Sequence, residues 1–164
     1  MNSGQLFLTI GGMFLLALLV LRMNTTFMST GDVMYNTKYG VLAVSLGTSM
    51  IEEANSKSFD CSTDTNSVSS LAAITDPASL GPEAGETPVT FNDFDDFNNY
   101  ERVDSTMPSA VFTIRCKVGY INPASPDVFV SQKTWHKKIQ VTVTSPSMQD
   151  TVRLSSVFSY WFFR

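Results

Sequence analysis

The densest run of oxygen ligands in this 164-residue sequence is FNDFDDFNNYE, from Phe91 to Glu101. Asp93, Asp95, Asp96, Asn98 and Asn99 fall within seven residues, and Glu101 follows. Calcium takes roughly six to eight oxygens, so such a loop could supply about half of its shell or more. Asp93, Asp95, Asp96 and Asn98 are therefore candidate calcium ligands. The segment lacks the glycine and the spacing of an EF-hand loop, because Phe94 and Phe97 interrupt the register. The alternative is a solvated acidic turn pinned to a core by Phe91, Phe94 and Phe97. Asp95 and Asp96 also form an acidic pair, but adjacent positions in a turn fix no acid–base geometry.

Nothing else in the sequence points to catalysis. His136 is the only histidine, and neither a G-x-S-x-G nor an H-E-x-x-H pattern occurs. A lone histidine without an evident partner is a poor general base, so no enzyme is expected. Trp135, His136, Lys137 and Lys138 make a small basic and aromatic patch. Single-stranded nucleic acid would need more positive charge and a clearer stacking platform, so the patch reads as a solvated strand start. Cys61 and Cys116 lack the further Cys or His ligands of a zinc site. Joined as a disulfide in an oxidising compartment, they would stabilise the fold by about 4 kcal/mol in the chain-entropy model. The alternative is two thiols that never meet.

The elements that must position these residues begin with an apolar run. Leu6 to Leu21, LFLTIGGMFLLALLVL, contains only Thr9 and a pair of glycines among apolar side chains. As a helix it spans about 24 Å, somewhat short of the ~30 Å hydrocarbon core. Met23 extends it if Arg22 snorkels to the headgroups. The following RMNTTFMSTG has no small-residue cleavage site, so the segment reads as an anchor and not as a cleaved signal peptide. Charged residues make up only 16 % of the chain, and none precedes Arg22. The leader MNSG carries no Lys or Arg, so the positive-inside rule is nearly silent on orientation. The net charge of −4 is too small to argue for nucleic acid as a partner.

Helical periodicity continues beyond the anchor. Tyr35, Tyr39, Leu42, Leu46 and Met50 share one face, widened by Val41, Val44 and Ile51. Gly31, Gly40 and Gly47 each cost about 1 kcal/mol relative to Ala in a helix, and Asp32 would cap a helix that broke near Gly31. The helix is expected to end between Asn55 and Ser58. Pro77, Pro82 and Pro88 mark the next stretch as loop, with one short helix at Ser67 to Ile74. Strands are predicted over Val111–Ile121, Thr134–Thr144 and Thr151–Phe163 by apolar alternation, with turns at INPASPD and SPSMQD. A long helix, membrane-spanning in its first half and amphipathic in its second, would then lie on a small antiparallel sheet in an α+β fold.

This order resembles the type IV pilin-like proteins: pilus subunits, minor pilins and type II secretion pseudopilins. MNSG followed by QLFLTIGG resembles a prepilin leader. The resemblance implies cleavage between Gly4 and Gln5. SMIEEANSKSFD is similar to the helix end of minor pilins. FNDFDDFNNY, with KKIQVTVTSP and VRLSSVFSYW, resembles minor pilins of the mannose-sensitive haemagglutinin type. The chain departs from the family at Thr9, where a glutamate is usual, and in its uncharged leader. Loss of that glutamate points to an accessory subunit and not an abundant major one.

The resemblance implies a leader at 1–4, a transmembrane or filament-core helix at 5–23, its amphipathic continuation at 24–57 and a sheet domain at 58–164. It implies an inner-membrane protein whose C-terminal domain is periplasmic or on an extracellular filament. Its partners would be other pilin-like subunits and an inner-membrane assembly machine, with roles in secretion or cell adhesion. Gly11 and Gly12 would let helices approach closely in the filament core. The competing expectation is a permanently anchored periplasmic binding or adhesion domain that uses the acidic loop or the aromatic C-terminus, SYWFFR, with calcium as its one candidate cofactor.

Overall fold

The computed structural model describes residues 2–160. Positions 161–164, which include the end of the third expected strand, lie outside them. Helix α1 runs unbroken from Ser3 to Asn55. Five strands follow: β1 (Glu101–Asp104), β2 (Phe112–Asn122), β3 (Ser125–Phe129), β4 (His136–Thr144) and β5 (Val152–Ser159). They form an antiparallel sheet in the order β1-β2-β4-β5, with β3 paired to the end of β2. The fold is α+β with a pilin-like layout of a long apolar N-terminal helix and an antiparallel sheet.

The chain divides into two compact units, residues 1–38 and 39–164. In the first unit the helix is exposed along its whole apolar run, from Leu6 through Phe14 and Leu19 to Met28. It is the one helix among the described residues long and apolar enough to cross a membrane. Its threonine hydroxyls bond back within the helix: Thr9 Oγ1 donates to the Leu6 carbonyl at 2.9 Å, and Thr25 Oγ1 to the Leu21 carbonyl at 2.7 Å. Such back-bonding removes most of the penalty for a hydroxyl in an apolar medium. The helix does not break at Gly31, so Asp32 caps nothing.

In the second unit the helix buries Tyr39, Ala43, Gly47, Met50 and Ala54. Leu42, Leu46 and Ile51 flank this line, half-buried, whereas Val41 and Val44 face outward. The seam is narrower and smaller in side-chain size than the apolar periodicity indicates. Gly47 shows why: a Cβ there would lie 2.8 Å from Leu154 Cδ1 and 3.4 Å from Val143 Cγ2. Helix and sheet touch at this point, and only a residue without a side chain fits without displacing Leu154.

Alternation places Phe112, Ile114, Cys116, Val118 and Tyr120 of β2 in the interior beside Ile139, Val141 and Val143 of β4. The register sets Cys116 opposite Val141 and Tyr120 opposite Lys137. The segment expected as a turn after Ile121 instead closes a hairpin onto β3, and Phe129 folds back over Gly119. Glu101–Asp104, read from the sequence only as the tail of the acidic segment, pairs with the start of β2. The expected helix at Ser67 to Ile74 shrinks to a single 3-10 turn, Leu71–Ala73, capped by Ser70.

The disulfide is corrected by the structure. Both cysteines are free thiols, Cys61 exposed and Cys116 buried. Cys116 is held in the main core by the inward face of β2. Cys61 sits in a 3-10 turn after the helix, with Thr75 Oγ1 and Asp60 Oδ1 as its neighbours at 3.7 and 3.9 Å.

Candidate functional site

The acidic segment is folded inward. Phe91, Phe94 and Phe97 are core residues, as their spacing indicates, but Asp93, Asp95 and Asp96 are also fully buried. The turn is therefore not a solvated one. Two features make its burial tolerable. First, Asp93 and Asp96 cap their own loop. Asp93 Oδ1 accepts from the Asp95 and Asp96 amides at 2.8 and 3.2 Å, and Asp96 Oδ2 accepts from the Asn92 and Asp93 amides at 2.9 and 3.0 Å. Buried backbone donors are costly if left unpaired, and these carboxylates satisfy them.

Second, the sheet supplies a counter-charge. Lys137 stands on the inward face of β4, and its side chain is fully buried. Its ammonium donates to the Phe59 carbonyl at 2.7 Å, to Asp60 Oδ2 at 2.9 Å and to Asp95 Oδ1. All three of its protons are thus committed. The rings of Phe59 and Tyr120 lie 4.6 and 5.5 Å from the nitrogen and add cation–π attraction. Asp60 is further held by the Ser62 amide and hydroxyl and by the Thr75 amide.

The chain reaches this arrangement through local links. Ser58, just past the helix, pairs with Asp93 in a parallel bridge; its amide donates to the Asn92 carbonyl and its carbonyl accepts from the Phe94 amide. Lys57 Nζ donates to the Phe91 carbonyl at 2.7 Å. The helix end, the acidic turn and β4 are thereby joined at one place.

Its electrostatics are uneven. Burial works to raise Asp60, but the Lys137 charge and the surrounding hydrogen bonds outweigh it and hold the carboxyl down at about 2. Asp93 is pushed up to about 8 by burial and by the neighbouring carboxylates of Asp95 and Asp96. Burial also raises Asp95 against the pull of Lys137, and Asp96 against its amide hydrogen bonds. One lysine therefore serves more buried carboxyl groups than it can neutralise. Asp93 Oδ2, Asp95 Oδ2 and Asp96 Oδ1 are buried without a hydrogen-bond partner.

Of the expected calcium ligands, Asp93, Asp95 and Asp96 come together in this cluster. Asn98 is occupied otherwise: its Nδ2 donates to the Leu80 carbonyl at 2.9 Å and its Oδ1 accepts from the Val118 amide at 3.0 Å. Sequence reasoning missed Asp60, Lys137, Glu83 and Glu86 as members of the neighbourhood. The buried lysine had one visible signal, since strict alternation along β4 puts Lys137 in line with Ile139, Val141 and Val143. His136 is half-buried, with its Nδ1 2.7 Å from Ser159 Oγ across the β4–β5 pair. At the other end of the chain, Gly4 and Gln5 lie in the first turn of α1, and a Cβ at Gly11 or Gly12 would meet only open space. No family model, curated protein or solved structure matches the chain.

Proposed function

We propose that the protein is an accessory, minor-pilin-like structural subunit of a type IV pilus-like or type II secretion-like filament. The observation that supports this reading best is the single helix Ser3–Asn55, apolar and exposed over its first part and seated against an antiparallel sheet over its last. A lone anchor would need only the first part, and a soluble α+β domain only the second. One uninterrupted element that does both suits a subunit whose helix leaves lipid for a bundle of like helices. Apolar side chains exchange one apolar surrounding for another in that transfer, so its free-energy cost stays small.

In this reading the inner membrane holds the subunit before assembly, with the sheet domain on the periplasmic side. Partners are other pilin-like subunits and the assembly machine. Thr9, bonded back to its own helix, carries no charge to be neutralised by a neighbouring subunit, which suits an accessory position in the filament.

The intact mass of the protein from its native membrane tests the proposal, combined with its distribution between membrane and sheared filament fractions. Loss of residues 1–4, with recovery in the filament fraction, is the expected result. A full-length mass confined to the membrane fraction would overturn it in favour of a permanently anchored binding domain.

A further inference from the structure

The carboxylates extend past the reach of Lys137 to a neighbouring, more exposed loop. Glu83 and Glu86 begin and end the turn at 83–86, where Glu86 Oε2 accepts from the Glu83 amide at 3.0 Å. Glu86 Oε1 accepts from Asn92 Nδ2 at 2.8 Å, which ties this turn to the acidic segment. Ligand atoms of Glu83, Glu86 and Asp96 all lie within 4.8 Å of one another, and those of Cys61, Glu83 and Asp93 do the same. Among the described residues, none of Glu83, Glu86, Asp93 or Asp96 forms an ion pair with a lysine or arginine.

Carboxyl groups gathered this way either hold protons between them or share a cation. The second observation is Asp96 itself. Its side chain is fully buried, one oxygen takes two amide protons, and the other, Oδ1, has no partner. Asp93 repeats the pattern, with Oδ1 satisfied and Oδ2 without a partner. Asp96 thus keeps one unused oxygen, and Glu83 and Glu86 are the more exposed members of its group.

We propose that Glu83, Glu86 and Asp96 form a calcium site, with Asp93 adjoining it through Glu83. Oxygens held about 2.3–2.6 Å from a central calcium are at most ~5 Å apart, which matches the spacing of Glu83, Glu86 and Asp96. Calcium accepts irregular carboxylate shells completed by water, whereas magnesium demands a near-ideal octahedron. The sulfur of Cys61 suits softer metals and stays outside the shell. The ion would clamp the turn at 83–86 to the acidic segment, and the site stands whether or not the chain assembles into a filament.

The test uses the full chain, purified in detergent micelles and stripped with a chelator, then titrated with calcium chloride in a calorimeter. One calcium per chain is expected, with the thermal midpoint rising by roughly 3 °C or more at a hundredfold excess over the dissociation constant. Glu83→Gln combined with Glu86→Gln should weaken calcium binding on the order of tenfold or more while leaving the calcium-free midpoint within about 2 °C, since both side chains are partly solvated. Glu83→Gln alone, at an exposed position, gives the same reading if the double variant unfolds. No heat and no midpoint shift in the parent chain, unchanged affinity in the variants, or binding of magnesium or zinc with calcium silent would each overturn the assignment.

Discussion

The ammonium of Lys137 lies 2.9 Å from the carboxylate of Asp60, and both side chains are fully buried although the residues are 77 positions apart. The contact joins the chain just after the helix to an inner strand of the sheet. Asp95 completes the group from the acidic segment. A buried ion pair is weak evidence of net stabilisation, because desolvating the charges offsets much of their attraction. Breaking one partner is a different matter.

Replacing Lys137 with Met leaves Asp60 and Asp95 buried without their cation. The expected loss is about 3–5 kcal/mol of unfolding free energy, read from denaturant melts of the full chain in micelles. Adding Asp60→Asn and Asp95→Asn to the same variant removes the stranded charges and should recover part of that loss. A single Lys137→Met variant as stable as the parent would show that the cluster contributes little.

Acid should weaken the same contact in a defined window. The Asp60 carboxyl is held at about 2 in the folded protein, below its ordinary value of 3.8. A depressed folded value means stability that is fully present above the unfolded value and is lost as pH falls through the folded one. The parent should therefore exceed Asp60→Asn by about 2 kcal/mol at neutral pH, with the gap closing between roughly pH 4 and pH 2. A gap that is constant with pH would assign the effect to packing and not to charge.

Two helix glycines should respond in opposite directions. Gly40 has open space where a Cβ would go, so Gly40→Ala should stabilise by up to about 1 kcal/mol through helix propensity. Gly47 is closed off by Leu154 and Val143, so Gly47→Leu should destabilise by about 1–3 kcal/mol through overpacking. Thermal melts of the two variants against the parent check the contrast.

The thiols should alkylate in two steps. Cys61 is exposed, although burial of its sulfur pushes the thiol up to about 11 and slows its reaction at neutral pH. Cys116 is buried and raised to about 12, so it should react only after denaturant is added. Mass spectrometry should then find one label on the folded chain and two on the unfolded one. Failure to label either in denaturant without reductant would mean the pair is oxidised.

Much of the architecture was legible before the structure. The alternation in Val111–Ile121 and Thr134–Thr144 located β2 and β4 to within one or two residues, because a strand with one buried face writes a period of two into its own sequence. The helix end at Asn55 and the core role of Phe91, Phe94 and Phe97 were visible for similar local reasons. Strands β1 and β3 were not. Glu101–Asp104 is charged and half-exposed, and Ser125–Phe129 contains a proline and mostly exposed residues. Each is a strand because β2 offers it an edge.

What the sequence determined by itself was the sort of element each segment makes and which face of the inner strands turns inward. Those properties rest on neighbours a few residues apart. Only the tertiary structure decided that Ala43, Gly47 and Ala54 form the helix seam, since small residues carry no hydrophobic signal and matter only where another surface comes close. It also decided which acids share a lysine and which do not. Asp60, Asp95 and Lys137 meet through long-range packing, as do Glu86 and Asp96. Charge pairing in a low-dielectric interior depends on distances that no local periodicity encodes.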